Sequence, residues 1–122
     1  PYNVPGNAMM ATYLGFIARE VLTKVEKNSV FFNTADKLEK NVKFAEKINQ
    51  GIKNYGIVER APSEGGPLYA YEVDGFGKFR LYDDANLPSL LSLPYLGFIN
   101  ITDPLYKNTR TLILSKKNPY YF

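Results

Sequence analysis

The run with the most chemical potential is Asp83-Asp84-Ala85-Asn86, two adjacent carboxylates and a carboxamide within four positions. Carboxylates can move protons, hold a cation or grip sugar hydroxyls, and an amide beside them adds both donors and an acceptor. A hard cation needs further oxygen ligands, and no EF-hand spacing surrounds this run, so no metal is expected. Neighbours along an extended chain point in different directions, so Asp83 and Asp84 do not form an acid–base pair by default. The structural alternative is that these groups cap a helix or are simply solvated. Tyrosine is the second resource. The chain has 10 Tyr and 8 Phe but no Trp. A Tyr ring offers a flat apolar face and a hydroxyl, which suits a sugar's C–H face and equally suits a core or an interface. Tyr69, Tyr71 and Tyr82, near the two acids, are the best candidates for stacking on a sugar. Asp74-Gly75-Phe76-Gly77 lacks the strand-to-helix context of a phosphate-binding loop and reads as a tight turn.

Composition removes much of the rest. The 122 residues include no Cys and no His, which excludes disulfides, zinc clusters, thiolate nucleophiles and imidazole bases within them. Fifteen Lys and Arg are interspersed with twelve Asp and Glu for a net charge of +3, so no nucleic-acid partner is expected. The longest nearly apolar window, residues 8–18, is broken by Thr12 and Gly15 and is too short to cross a bilayer. The chain opens on Pro1 without an initiator Met or the regions of a signal peptide, and closes on Tyr120-Tyr121-Phe122, rings that normally pack against something. Both ends predict a piece of a longer polypeptide.

The elements that must position these groups follow from hydrophobic periodicity. Met10, Tyr13, Leu14, Ile17, Val21 and Val25 predict a helix over residues 7–27 with that stripe buried and Asn7 as its cap. Leu38, Val42, Ala45, Ile48 and Ile52 predict a second helix over 34–54, stopped by a left-handed Gly56. The short connection makes the two an antiparallel hairpin. Asp36 with Lys40 and Glu39 with Lys43 are acid-first pairs four apart on a solvated face. Residues 61–67 read as a loop, and 68–73 with 78–82 as a β-hairpin around the 74–77 turn. A short helix is expected over 89–93, and a longer one after the cap-and-proline start Asp103-Pro104, running to about 115.

Residues 83–97, reading Asp83-Asp84-Ala85-Asn86-Leu87-Pro88-Ser89-Leu90-Leu91-Ser92-Leu93-Pro94-Tyr95-Leu96-Gly97, closely resemble the signature of glycoside hydrolase family 125, the exo-acting α-mannosidases. Tyr71-Glu72-Val73-Asp74-Gly75-Phe76-Gly77 before this run resembles the same family in the same order. So do Asp103-Pro104, Tyr106, Asn108-Thr109-Arg110 and Asn118-Pro119-Tyr120-Tyr121-Phe122 after it, and Tyr2-Asn3-Val4-Pro5-Gly6-Asn7 near the start. The resemblance is tightest over residues 69–122 and looser over 24–68. It implies a mainly α fold, part of an (α/α)6 barrel with a small β-hairpin insertion, in which residues 1–122 are an internal segment of a single catalytic domain. It also implies an inverting hydrolase that removes terminal α-1,6-linked mannose without a metal or other cofactor.

Inversion needs a protonated carboxyl and a carboxylate about 6.5–9.5 Å apart with water between them. The resemblance places the acid just before the segment matched by residues 2–7 and the base beyond residue 122. It therefore implies no catalytic residue within this chain. The expected substrate-binding residues are Asp83, Asp84, Asn86, Tyr71, Arg110 and Tyr120. Asp84 and Asn86 would take mannose hydroxyls or orient the catalytic groups, Asp83 would support the loop, and Arg110 or Tyr120 would stand behind. The expected partners are a mannose-containing glycan and the remainder of the chain's own polypeptide. The competing reading is a non-catalytic scaffold or interaction protein that keeps a mannosidase-like fold. Asn100-Ile101-Thr102 forms an N-glycosylation triplet, which leans toward the secretory route.

Overall fold

A computed structural model of the chain describes residues 1–24, 32–60 and 62–121. Two long helices lead: α1, Val4–Lys24, and α2, Phe32–Tyr55. The first turn of α1 and the last turn of α2 share one apolar cluster through Val4, Ala8 and Ile52, so the two run antiparallel. The start of α1 lies one turn earlier than the periodicity predicts. Asn3, not Asn7, is the cap: its Oδ1 accepts from the Gly6 N–H at 2.7 Å, and Asn7 Nδ2 donates back to the Asn3 carbonyl at 2.7 Å. Pro5 fits because the first turn has no intrahelical use for its missing N–H.

The buried face of α1 also differs from the expected stripe. Val4, Ala8, Ala11 and Ala18 are buried, while Met10, Tyr13, Phe16 and Ile17 are each about half exposed. Small side chains at alternating four- and three-residue steps let α1 lie close against its neighbours. The larger apolar groups that dominate the sequence pattern turn outward. Val21, Val25, Asp36 and Leu38 carry side chains outside the described set. On α2 the expectation holds better, with Ala45 and Ile52 buried and Val42 and Ile48 half-buried. Glu39 and Lys43 pair at 2.9 Å on the exposed face. The helix ends before Gly56, whose N–H donates to the Ile52 carbonyl at 2.7 Å. Gly56 does not adopt a positive φ. A Cβ there would lie 2.8 Å from the Ile52 carbonyl oxygen, so glycine is needed for clearance instead of handedness.

The predicted single hairpin divides between two sheets. Strand β2, Ile57–Val58, pairs antiparallel with β3, Leu68–Tyr69. Strand β4, Glu72–Val73, pairs antiparallel with both β1, Tyr2–Asn3, and β5, Phe79–Arg80. The chain therefore changes partners at Ala70 and Tyr71: the Ala70 N–H donates to Gly56 O, and the Tyr71 N–H to Arg80 O, each at 2.9 Å. The turn itself is as expected. Asp74 Oδ1 accepts from the Phe76 and Lys78 amides, and Gly75 and Gly77 hold φ of 79° and 98°.

The predicted 89–93 helix is instead a chain of turns through residue 97, held by side chains that outcompete helical bonding. Ser92 Oγ donates to the Ser89 carbonyl at 2.8 Å and accepts from the Ser89 N–H at 2.9 Å. Helix α3, Pro104–Ile113, begins as predicted, with Asp103 Oδ1 accepting from the Leu105 N–H at 2.8 Å. Its inner face is Tyr106, Thr109 and Ile113, and Thr109 Oγ1 accepts the β3 amide of Tyr69 at 2.9 Å. Leu68, Leu90, Leu93 and Ile113 fill the centre of the core, all at or below 2% exposure. Among the described residues no helix is long and apolar enough to cross a membrane.

Candidate functional site

Asp83 anchors the acidic run from beneath. It is only 3% exposed, with Oδ1 accepting from the Leu90 N–H at 2.8 Å and Oδ2 from the Leu91 N–H at 3.1 Å. Burial pushes its carboxyl above the usual carboxylate range, against the pull of those backbone donors. Two carboxylate oxygens spent on the amides of the leucine turn hold the strand exit and the turn in fixed register. Asp83 thus faces inward.

Asp84 faces the other way, into a concavity of about 380 Å³ lined by Tyr71, Glu72, Tyr82, Asp84 and Tyr120. Asn86 orients it: the Asn86 backbone N–H and Nδ2 both donate to Asp84 Oδ1, at 2.9 and 2.8 Å. Among the described residues Asp84 Oδ2 accepts no hydrogen bond. One oxygen is pinned by the protein and the other is left for a donor arriving from outside, the arrangement a carboxylate needs to grip a hydroxyl.

Three tyrosines form the wall. The Tyr71 and Tyr82 rings lie 4.6 Å apart, and Tyr82 meets Tyr120 edge-on at 5.4 Å. Burial raises the Tyr71 hydroxyl above its ordinary pKa; the charges of Asp84, Asp83 and Glu72 add to this, and a bond to the Asn3 side chain opposes it. Tyr82 is raised as well, again chiefly by desolvation. Both hydroxyls therefore stay protonated at neutral pH and can donate. Glu72 completes the rim, with Arg80 Nε 3.7 Å from its Oε2.

Of the six expected residues, the structure brings Tyr71, Asp84 and Tyr120 onto one concave surface, with Asn86 fixed to Asp84 at its edge. Asp83 lies underneath. Arg110 is exposed on α3 and does not line the concavity. Tyr69 goes to the core, 7% exposed and edge-on to Phe98. Two participants were not singled out from the sequence. Glu72 was one alternation step from a flagged tyrosine. The buried carboxamide Asn118 accepts on Oδ1 from the Asp83 N–H at 3.4 Å and the Tyr120 N–H at 3.2 Å, and donates through Nδ2 to the Ile113 carbonyl at 3.1 Å. No local periodicity marks such a residue; the signal available was its place in the Asn-Pro-Tyr-Tyr-Phe run.

A second concavity, about 410 Å³, lies between the end of α2 and the 74–76 turn, walled by Ile48, Ile52, Tyr55 and Phe76. Its one carboxylate among the described residues, Asp74, spends Oδ1 on the turn amides. Asn3 and Asn7 also line it, but Asn3 Oδ1 and Asn7 Nδ2 are spent on the start of α1. Nor do three Asp, Glu, Cys or His side chains gather as a metal centre anywhere among the described residues.

The whole chain, residues 1–122, matches the metal-independent α-mannosidases, glycoside hydrolase family 125. The chain belongs to that family. Among its relatives, the meiotically up-regulated gene 157 protein of Schizosaccharomyces pombe is 45% identical over 121 residues. That alignment takes in 98% of this chain and 22% of the relative. A solved metal-independent α-mannosidase of Streptococcus pneumoniae, in a non-productive complex with α-1,6-mannobiose, superposes with a TM-score of 0.83 at 33% identity. There the match takes in 99% of this chain and 27% of the bacterial one. This family 125 chain thus spans between a fifth and a third of the length of the relatives it matches.

Proposed function

We propose that the full-length protein is an inverting, exo-acting mannosidase that removes terminal α-1,6-linked mannose from glycans, and that residues 71–120 supply a mannose-receiving wall. The observation that carries this reading is the bacterial relative, similar in sequence and fold over nearly the whole of this chain and complexed with α-1,6-mannobiose. The geometry agrees with it. Asp84 Oδ2 accepts a sugar hydroxyl, the protonated Tyr71 and Tyr82 donate, and the ring faces take the C–H surface of the pyranose. Asp83 and Asp84 do not serve as the catalytic pair, because one is spent on backbone amides beneath the surface that the other faces. The general acid and base come from the rest of the polypeptide. Its further helices cover the outward apolar face of α1 and close the (α/α)6 barrel.

The test is kinetic and uses the full-length enzyme on α-1,6-mannobiose. Asp84→Asn keeps the side-chain shape but weakens a charged hydrogen bond, and is expected to lower kcat/KM by about 2 kcal/mol, roughly 30-fold. NMR of the first product should show the β-anomer of mannose. Wild-type kinetics in the variant would remove Asp84 from the site, and α-mannose as first product would remove inversion.

A further inference from the structure

The mannose-receiving wall makes no use of Asn100-Ile101-Thr102, and its geometry is that of an exposed modification site. All three residues are exposed, Ile101 by 64%. They form the turn that delivers the chain to α3: the Asn100 carbonyl accepts from the Asp103 N–H at 3.0 Å, so the triplet bulges outward instead of packing under the helix. Within the triplet, Asn100 Oδ1 accepts from two donors of one residue, the Thr102 N–H at 2.9 Å and the Thr102 hydroxyl at 2.8 Å. Both draw electron density toward the amide oxygen. Among the described residues Nδ2 donates no hydrogen bond. The carboxamide is thus held by its oxygen and offers its nitrogen to solvent, and the proline that would spoil the middle position stands outside the triplet, at Pro104.

We infer that Asn100 is an N-glycan acceptor in the full-length protein and that the protein enters the secretory route. The donor is an oligosaccharide carried on a lipid diphosphate, delivered by a membrane-bound transferase. In the transfer a bond forms between Nδ2 and the anomeric carbon while the bond from that carbon to the diphosphate oxygen breaks. The diphosphate leaves with the electron pair, and Nδ2 gives up one proton to a base of the transferase. Among the described residues Asn100, Ile101 and Thr102 are all exposed, so nothing in this segment has to open to accommodate the attached sugar. The proposal stands apart from the mannosidase reading, because Asn100 lines neither concavity.

The experiment uses full-length protein expressed in and purified from a eukaryotic host, treated with peptide N-glycosidase in isotope-labelled water and mapped by mass spectrometry. Asn100 should appear as labelled aspartate in most copies. Thr102→Ser should retain the label and Thr102→Ala should lose it. Asn100→Gln should lower the apparent mass by one glycan and leave turnover of α-1,6-mannobiose at the wild-type level. Unlabelled asparagine at position 100 of the wild-type protein would overturn the assignment. So would labelling that persists in Thr102→Ala.

Discussion

The helical pair and the turn-rich half solve the packing problem in opposite ways. Along α1 the buried positions among the described residues are Val4, Pro5 and three alanines, and large apolar groups such as Phe16 face outward. Between Leu68 and Asn118 the buried centre is built from large side chains such as Leu68, Leu90, Leu93 and Ile113, and buried polar groups such as Asp83, Thr109 and Asn118 are each hydrogen-bonded to backbone. One region depends on thin contacts between close elements, the other on filled volume and satisfied polar groups. The first should therefore fail when atoms are added and the second when they are removed.

The largest effect should come from the second. Leu93 is fully buried, so Leu93→Ala should cost about 3 kcal/mol of stability, read from the denaturant midpoint of the full-length protein. The reverse change should break the helical pair. Ala8, with no exposed surface and clustered with Ile52, has no room for a larger group. Ala8→Leu should cost about 2 kcal/mol by overpacking. A stabilised Ala8→Leu, or a harmless Leu93→Ala, would erase the contrast.

A smaller effect sharpens the description of the filled half. Burial, helped by the charge of Asp103, pushes the Tyr69 hydroxyl from 10.0 up to about 12. An acid that ionises later in the folded state contributes stability that is intact below pH 10 and is lost as the pH climbs from 10 through about 12. Tyr69→Phe should remove on the order of 1 kcal/mol of that alkaline loss once solvent screening is allowed for, seen in denaturant midpoints across this pH range. An equally steep loss in the variant would mean that Tyr69 is not the group responsible. The smallest effect belongs to the outer face of α2. Lys43→Ala should change stability least of these substitutions, and less still in high salt, because the Glu39 pair is exposed on both sides.

Local chemistry was legible in the sequence wherever local chemistry decides. Asp103-Pro104 starts α3 and Asp74-Gly75-Phe76-Gly77 makes its turn, since caps and positive φ are settled within a few residues. The existence of α1 and α2 was legible for the same reason. What α1 buries was not: periodicity weights Met10 and Ile17 above alanine, whereas close packing selects alanine. The break at Ala70 and Tyr71 was hidden because β3 turns back across the loop to the two-residue strand Ile57–Val58, too short to show a period, while β4 takes Tyr2–Asn3 from the far end of the chain. The turns over 89–97 defeated an apolar helical pattern because Asp83 and two serines claim their amides. At the candidate site, the acidic run and the tyrosines could be named in advance. Glu72 and Asn118 could not, since only the folded chain shows Glu72 joining the tyrosine wall and Asn118 meeting both the acidic run and the tail.

Asn118 has a consequence of its own. One carboxamide takes the amides of Asp83 and Tyr120 on the same oxygen while its nitrogen holds the last turn of α3. The floor of the pocket and the ring at its mouth are therefore not independent parts. They hang from a single peg, and a change that shifts the peg resets the width of the opening and the aim of its acid together.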